Sequence, residues 1–167
     1  MARLGGDELK RLEELEARAE ITDLINRYGD GVRRDDIDLI MSCFSDTATI
    51  DHGNGRIVEG KAHIRAFYEA SRAPGSNSPV LTFDEKVAST PVMSNIVIEL
   101  EGDNAHCESM CLAIHVGVIG ASGSVMVRGT RNIDDLVRTP DGWKIERRSH
   151  PALWMFEVPG TILVERP

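Results

Sequence analysis

The chain has 167 residues, 41% of them apolar, which is enough to fill one core and short for two domains. A formal net charge of -8 excludes an electrostatic nucleic-acid binder, because phosphate contacts need a concentrated positive face. No stretch approaches the roughly 20 apolar residues that span a bilayer, and residues 1–10 are polar and charged, so no membrane association and a cytoplasmic location are expected.

Leu12, Leu15, Ile21, Leu24, Ile25 and Tyr28 recur at helical spacing, which predicts a first helix from about Asp7 to Val32 with one buried stripe. Asp36 is placed to cap a second helix carrying Ile37, Ile40, Met41 and Phe44 at the same period. Thr47 to Asp51 alternates as a short strand, Gly53-Asn54-Gly55 reads as a hairpin turn, and Arg56 to Val58 is the return. Gly60 precedes a third helix, Lys61 to Ser71. The segment 73–79 is rich in Pro, Gly, Ser and Asn and reads as a loop that either lids a cavity or merely connects.

Strands follow near Val92 to Glu101, Ala105 to Ile119, Ser124 to Arg138 and Trp143 to Ser149, with turn signals between them. Helices early and hairpins late indicate an α+β fold, with the helices packed on one face of a curved, mostly antiparallel sheet. One domain over 1–167 is expected, with 1–10 flexible and the apolar tail 151–167 covering a pocket or a partner subunit.

Cys43, Cys107 and Cys111 are odd in number and lie in apolar segments, so free buried thiols are expected. His106, Cys107, Cys111 and His115 come nearest to a zinc set, but strand alternation sends the odd and even members to opposite faces, and no metal is expected. No phosphate-binding glycine loop or nucleotide fingerprint is present, so no cofactor is implied.

The landmarks Ile21 through Tyr28, Asp36 to Phe44, Gly60, Asn95, Gly102-Asp103, Ala105, Asp134 to Arg138, Gly142 to Ile145 and Arg148 stand in an order that resembles the SnoaL-like branch of the nuclear transport factor 2-like superfamily. That family's α+β cones enclose hydrophobic pockets, and its members include polyketide cyclases, scytalone-type and bile-acid dehydratases, a dehydrochlorinase and steroid isomerases. The resemblance implies that Tyr28 is a pocket phenol able to donate to a substrate carbonyl. Relatives carry an aspartate five residues later and a histidine four residues before the strand asparagine; here those positions hold Arg33 and Pro91.

Arg33 lies about 140° round the helix from Tyr28, as the relatives' aspartate does, so it is a candidate for stabilising a carboxylate, enolate or phenolate; the alternative is that it reaches solvent or pairs with Asp35 or Asp36. In the strand from Ala105, one face carries Cys107, Ser109, Cys111, Ala113 and His115, small and mildly polar residues that leave room for a ligand. His115 is thus the first candidate base and His150, at the end of the last expected strand, the second. Asp51, Asn95, Ser109, Cys111, Asn132 and Trp154 are candidate substrate contacts, and His52 beside Asp51 reads as a turn histidine.

The expected function is a cofactor-independent dehydratase, isomerase or cyclase that moves protons on a small hydrophobic, oxygenated ring or polyketide-like molecule. Its rival is a non-catalytic binding or dimerisation protein using the same pocket. A homodimer or higher homo-oligomer is compatible with both.

Overall fold

The computed structural model describes residues 5–53, 55–72, 84–119 and 122–160. Helix α1 (Gly6–Arg34) buries Ala17, Ile21, Leu24, Ile25 and Tyr28 along one stripe. Leu12 and Leu15 continue that stripe in sequence but are half-exposed, because the first turns run past the packed layer. Residues 6–10, expected to be flexible, are helical, and the Glu8 carboxylate accepts the Gly5 N–H at 2.8 Å. Residues 1–4 lie outside the described residues, as do the loop at 73–79 and the end of the tail, 161–167.

Asp35 closes α1 in the left-handed conformation, its N–H reaching the Gly31 and Val32 carbonyls, and Asp36 caps α2 (Ile37–Ser42) by accepting the Leu39 N–H at 2.9 Å. Strands β1 (Phe44–Asp51) and β2 (Ile57–Glu59) form the short hairpin, and α3 (Lys61–Arg72) follows. Then come β3 (Glu85–Glu101), β4 (Asn104–Ile119), β5 (Ser122–Thr139), β6 (Gly142–Ser149) and β7 (Ala152–Gly160).

The sheet runs β2-β1-β6-β5-β4-β3, with β7 also on β5. Strand β5 is long enough to pair with β6 over one half and with β7 over the other. All pairings are antiparallel except β1 with β6, so the sheet is mixed and does not close. The parallel pairing sets Asp51 beside Ser149 and so puts the ends of β1 and β6 side by side. Pro91 is tolerated within β3 because that strand is an edge of the sheet. The helices lie over the face that carries Cys107, Asp134, Leu136, Ile145 and Arg148, and the core forms between the two layers.

The tail is a strand where only an apolar cover was expected. Leu153, Trp154, Met155, Phe156 and Val158 of β7 are each 43 to 55% exposed, and the Trp154 ring stacks on Phe156 with centroids 5.9 Å apart. No helix among the described residues is long and apolar enough to cross a membrane.

Gly31 fixes the closeness of α1 and α2. A Cβ there would stand 2.8 Å from Ile40 Cγ1 and 3.1 Å from the Ile40 nitrogen, backbone that cannot retreat cheaply. Gly31→Ala would ordinarily gain about 0.5–1 kcal/mol of helix propensity. Here urea denaturation should show a net loss of about 1–3 kcal/mol from overpacking, and a gain would contradict this helix contact.

Candidate active site

The interior site is built on a buried ion pair. Asp134 of β5 stands opposite Arg148 of β6, and the guanidinium donates from Nε and Nη2 to the two carboxylate oxygens, both at 2.7 Å, with both side chains 0% exposed. Burial, the largest influence on Arg148, works against its charge, but the Asp134 carboxylate outweighs it and holds the group protonated well above the usual arginine range. The guanidinium lies over the Tyr28 ring, 4.0 Å from the centroid, while its Nη1 has no hydrogen-bond partner among the described residues.

Tyr28 is thereby held on α1 with its hydroxyl 2.8 Å from that of Tyr68 on α3. Burial pushes the Tyr68 phenol well above its usual range, so it stays protonated. Whichever phenol donates, the pair spends one proton on itself, and the other has no acceptor among the described residues.

Two histidines meet where β1 and β6 end. His150 Nε2 is 2.6 Å from His52 Nδ1, and the His52 ring is 4.2 Å from the ring of Phe67 on α3. The backbone fixes their approach, since the His150 N–H donates to the Asp51 carbonyl at 3.0 Å. His52 Nε2 is buried with no hydrogen-bond partner among the described residues. Burial pushes His150 well below 6.5, helped by His52, Arg148 and Arg128; burial also lowers His52, with Arg56 and Arg128 adding to it and Asp51 opposing. Both rings are therefore neutral at physiological pH.

Neighbouring β4 and β5 complete the wall. Ser109, Cys111, Asn132 and Thr130 face inward, with Asn132 Nδ2 3.4 Å from Ser109 Oγ and Thr130 Oγ1 donating to the Cys111 carbonyl at 3.3 Å. Arg128 belongs to the same inward row and stands opposite Ala113. Burial raises all three thiols, Cys107 to about 12, which leaves them protonated and unreactive. No group of three or more His, Cys, Asp or Glu side chains among the described residues is arranged to hold a metal.

Tyr28, His150, Ser109, Cys111 and Asn132 thus lie in one interior. His115 is also buried on the inward face, but further along β4, where its Nδ1 is 2.9 Å from Ser89 Oγ. Arg33 is corrected: it is 53% exposed and ion-paired with Asp30 at 2.6 Å, because α1 reaches its last turn there and the acidic residue three positions earlier captures the guanidinium. Asn95 is an exposed residue at φ 50°, at an irregularity of β3 that turns it out of the cavity wall. Trp154 covers Gly129 on the sheet face opposite Arg128, and Asp51 turns its carboxylate to the Gly53 N–H at 2.8 Å.

Sequence reasoning passed over His52, Tyr68, Arg128 and the Asp134–Arg148 pair as site residues. The even-numbered row 128, 130, 132 and 134 of β5 was a readable signal for the last two, since polar residues alternating onto a face shared with Asn132 must be interior.

A second concavity, a groove of about 890 Å³, runs past Glu99, Glu101, His106, Asp135 and Glu146. Two of its carboxylates are already engaged: His106 Nδ1 is 2.9 Å from Asp135 Oδ1, Arg147 also binds Asp135, and the Ser45 and Thr47 hydroxyls donate to Glu146. It contains none of the interior phenols or the paired histidines.

Because the fold keeps His150 neutral, the unfolded chain binds a proton that the folded chain refuses once the pH falls below about 6.5. The stability tied to His150 is therefore complete above that pH and declines on acidification. His106, raised chiefly by its hydrogen bond to Asp135, acts in the opposite sense, but equally in wild type and variant. In His150→Gln the acid-side decline, followed by urea denaturation at several pH values, should be shallower by up to about 1.4 kcal/mol per pH unit. Equal slopes would mean that His150 is not held neutral.

A model of the SnoaL-like domain family matches residues 13–149. No curated protein matches the sequence. Among solved structures, a candidate aromatic ring hydroxylase from Novosphingobium aromaticivorans is 25% identical, with a TM-score of 0.69 over 87% of this chain and 94% of that one. A candidate scytalone dehydratase from the same organism is 16% identical, with a TM-score of 0.68 over 93% and 97%. The hexachlorocyclohexane dehydrochlorinase LinA-type3 from Novosphingobium barchaimii is 16% identical, with a TM-score of 0.74 over 93% and 99%. The last two likenesses show the fold alone.

Proposed function

Since the chain belongs to the SnoaL-like domain family, we propose that it is a cofactor-independent lyase, isomerase or cyclase that moves a proton on a small hydrophobic, oxygenated ring or polyketide-like molecule. The observation that carries this reading is the contact between His52 and His150, with His52 Nε2 buried and uncommitted. It supplies a base in a chain that has Arg33 and Pro91 where related enzymes keep their aspartate and histidine.

Two neutral imidazoles hold two ring protons on four nitrogens, and the bond between them uses one proton and one lone pair. One lone pair and one N–H remain, at His52 Nε2 and His150 Nδ1 in either order. If one end takes a proton from substrate carbon while the other gives one back, the shared proton crosses between the rings and the pair stays neutral. Burial and the two nearby arginines oppose a lasting imidazolium, which favours reactions whose proton uptake and release are balanced. Isomerisation returns the proton to another carbon, and dehydration returns it to the departing hydroxyl; each fits. The uncommitted phenol proton of Tyr28 and Tyr68 would polarise a substrate carbonyl and stabilise the enolate that forms.

The fitting assay screens cyclic ketones, hydroxy-steroids and aromatic polyketides by thermal shift and product mass. Loss of one water or an isomeric product supports the enzyme; stabilisation without turnover supports the rival binding protein. On a substrate so found, His52→Gln and His150→Gln should each lower kcat about 100-fold or more, whereas His115→Ala should leave it unchanged. The pH–rate profile should fall on the acid side with an apparent pKa below 6.5, the sense set by burial of both rings. Full activity in both glutamine variants would overturn the assignment.

A further inference from the structure

Arg128 carries a charge that no carboxylate among the described residues pairs with. It points inward from β5 in the row that ends at Asp134, whose carboxylate is wholly engaged by Arg148. Among the described residues, Arg128 thus shares this inward row with a single carboxylate, which another guanidinium already holds. Its Nε is buried and has no hydrogen-bond partner among the described residues. Burial, the largest influence on Arg128, opposes its charge, and the groups that favour it are Tyr28, Cys111 and Tyr68, none of them a carboxylate.

Arg128 is half-buried, and a partly desolvated guanidinium whose Nε is unsatisfied gains when an anion enters beside it. The side chains beside it are small: Ala113 stands opposite, and Cys111 and Thr130 form the next rung of the same wall. The planar fork of an arginine suits a carboxylate better than a single oxygen, because two parallel N–H groups match two acceptor oxygens. The phenol pair is meanwhile the better donor for a lone carbonyl oxygen, and the two functions separate along the cavity.

We propose that Arg128 is the anion-recognition residue of this interior and that the ligand is a ring-bearing acid which presents a carboxylate to it. The inference takes the interior as the substrate site, as in the function proposed above, but it concerns binding and not turnover. The acid is held by Arg128 while the ring lies between Tyr28, Tyr68 and the histidine pair.

Calorimetric titration with a naphthalene carboxylate and its neutral carboxamide tests this on the intact protein. Wild type should bind the carboxylate more tightly by on the order of tenfold or more, in keeping with a charge-assisted pair. Arg128→Met should abolish that preference, and Arg128→Lys, a point charge without the fork, should keep part of it. Arg128→Met should unfold in urea no earlier than wild type, because it removes a half-buried charge with no ion-pair partner among the described residues, so a lost preference cannot be blamed on a lost fold. Equal binding of acid and amide by wild type, a preference that survives Arg128→Met, or no carboxylate binding at millimolar concentration would each overturn the proposal. Absence of turnover would overturn the catalytic reading and leave this one standing.

Discussion

The ion pair between Asp134 and Arg148 is the constraint on which the interior depends. Both groups are 0% exposed, so each is tolerated only because the other is in place. Their pairing locks the register of β5 against β6, and the guanidinium platform under the Tyr28 ring ties that register to α1. Tyr28 in turn meets Tyr68, which ties α1 to α3. A buried pair of this kind contributes little net stability compared with apolar packing, but losing one partner costs about 3–5 kcal/mol. What it provides here is position: a phenol, an imidazole pair and the Arg128 guanidinium held in fixed relation.

The same charges decide the chemistry. Burial above all, with Arg128 acting on both rings and Arg148 on His150, makes a proton unwelcome, so the histidines sit below their ordinary range and are bases already free to act at neutral pH. A single histidine in such a place would have to become an imidazolium beside two arginines to do its work. A hydrogen-bonded pair avoids this by passing the proton through. The anionic character that a ligand acquires during enolisation is favoured by the positive surroundings that oppose the imidazolium.

Much of the fold was legible because amphipathic period dominates it. Ile21, Leu24, Ile25 and Tyr28 mark α1, Asp36 marks the cap of α2, and alternation along β4 and β5 sorts Ser109, Cys111 and Asn132 to the inward face. The helix phase that placed Tyr28 inside misled at Arg33, because phase says nothing of Asp30 capturing the guanidinium. Strand β7 escaped notice since Pro151 and Pro159 bracket a short run without alternation, and its pairing is supplied by the length of β5. The contact of His52 with His150 joins residues 98 positions apart through a parallel pairing of β1 with β6, which no local pattern announces. Alternation puts Arg128 and Arg131 on opposite faces of β5, but which of them turns inward follows from the pairing with β4 and β6 and not from the local pattern.

Histidine ring-nitrogen NMR, followed through a pH titration of the wild-type protein, addresses the neutral pair directly. His52 and His150 should keep the signals of neutral imidazoles as the pH is brought down through 6.5, whereas His106, raised by its bond to Asp135, should already be protonated there. Titration of either member of the pair at or above 6.5 would contradict a buried neutral base at the centre of this site.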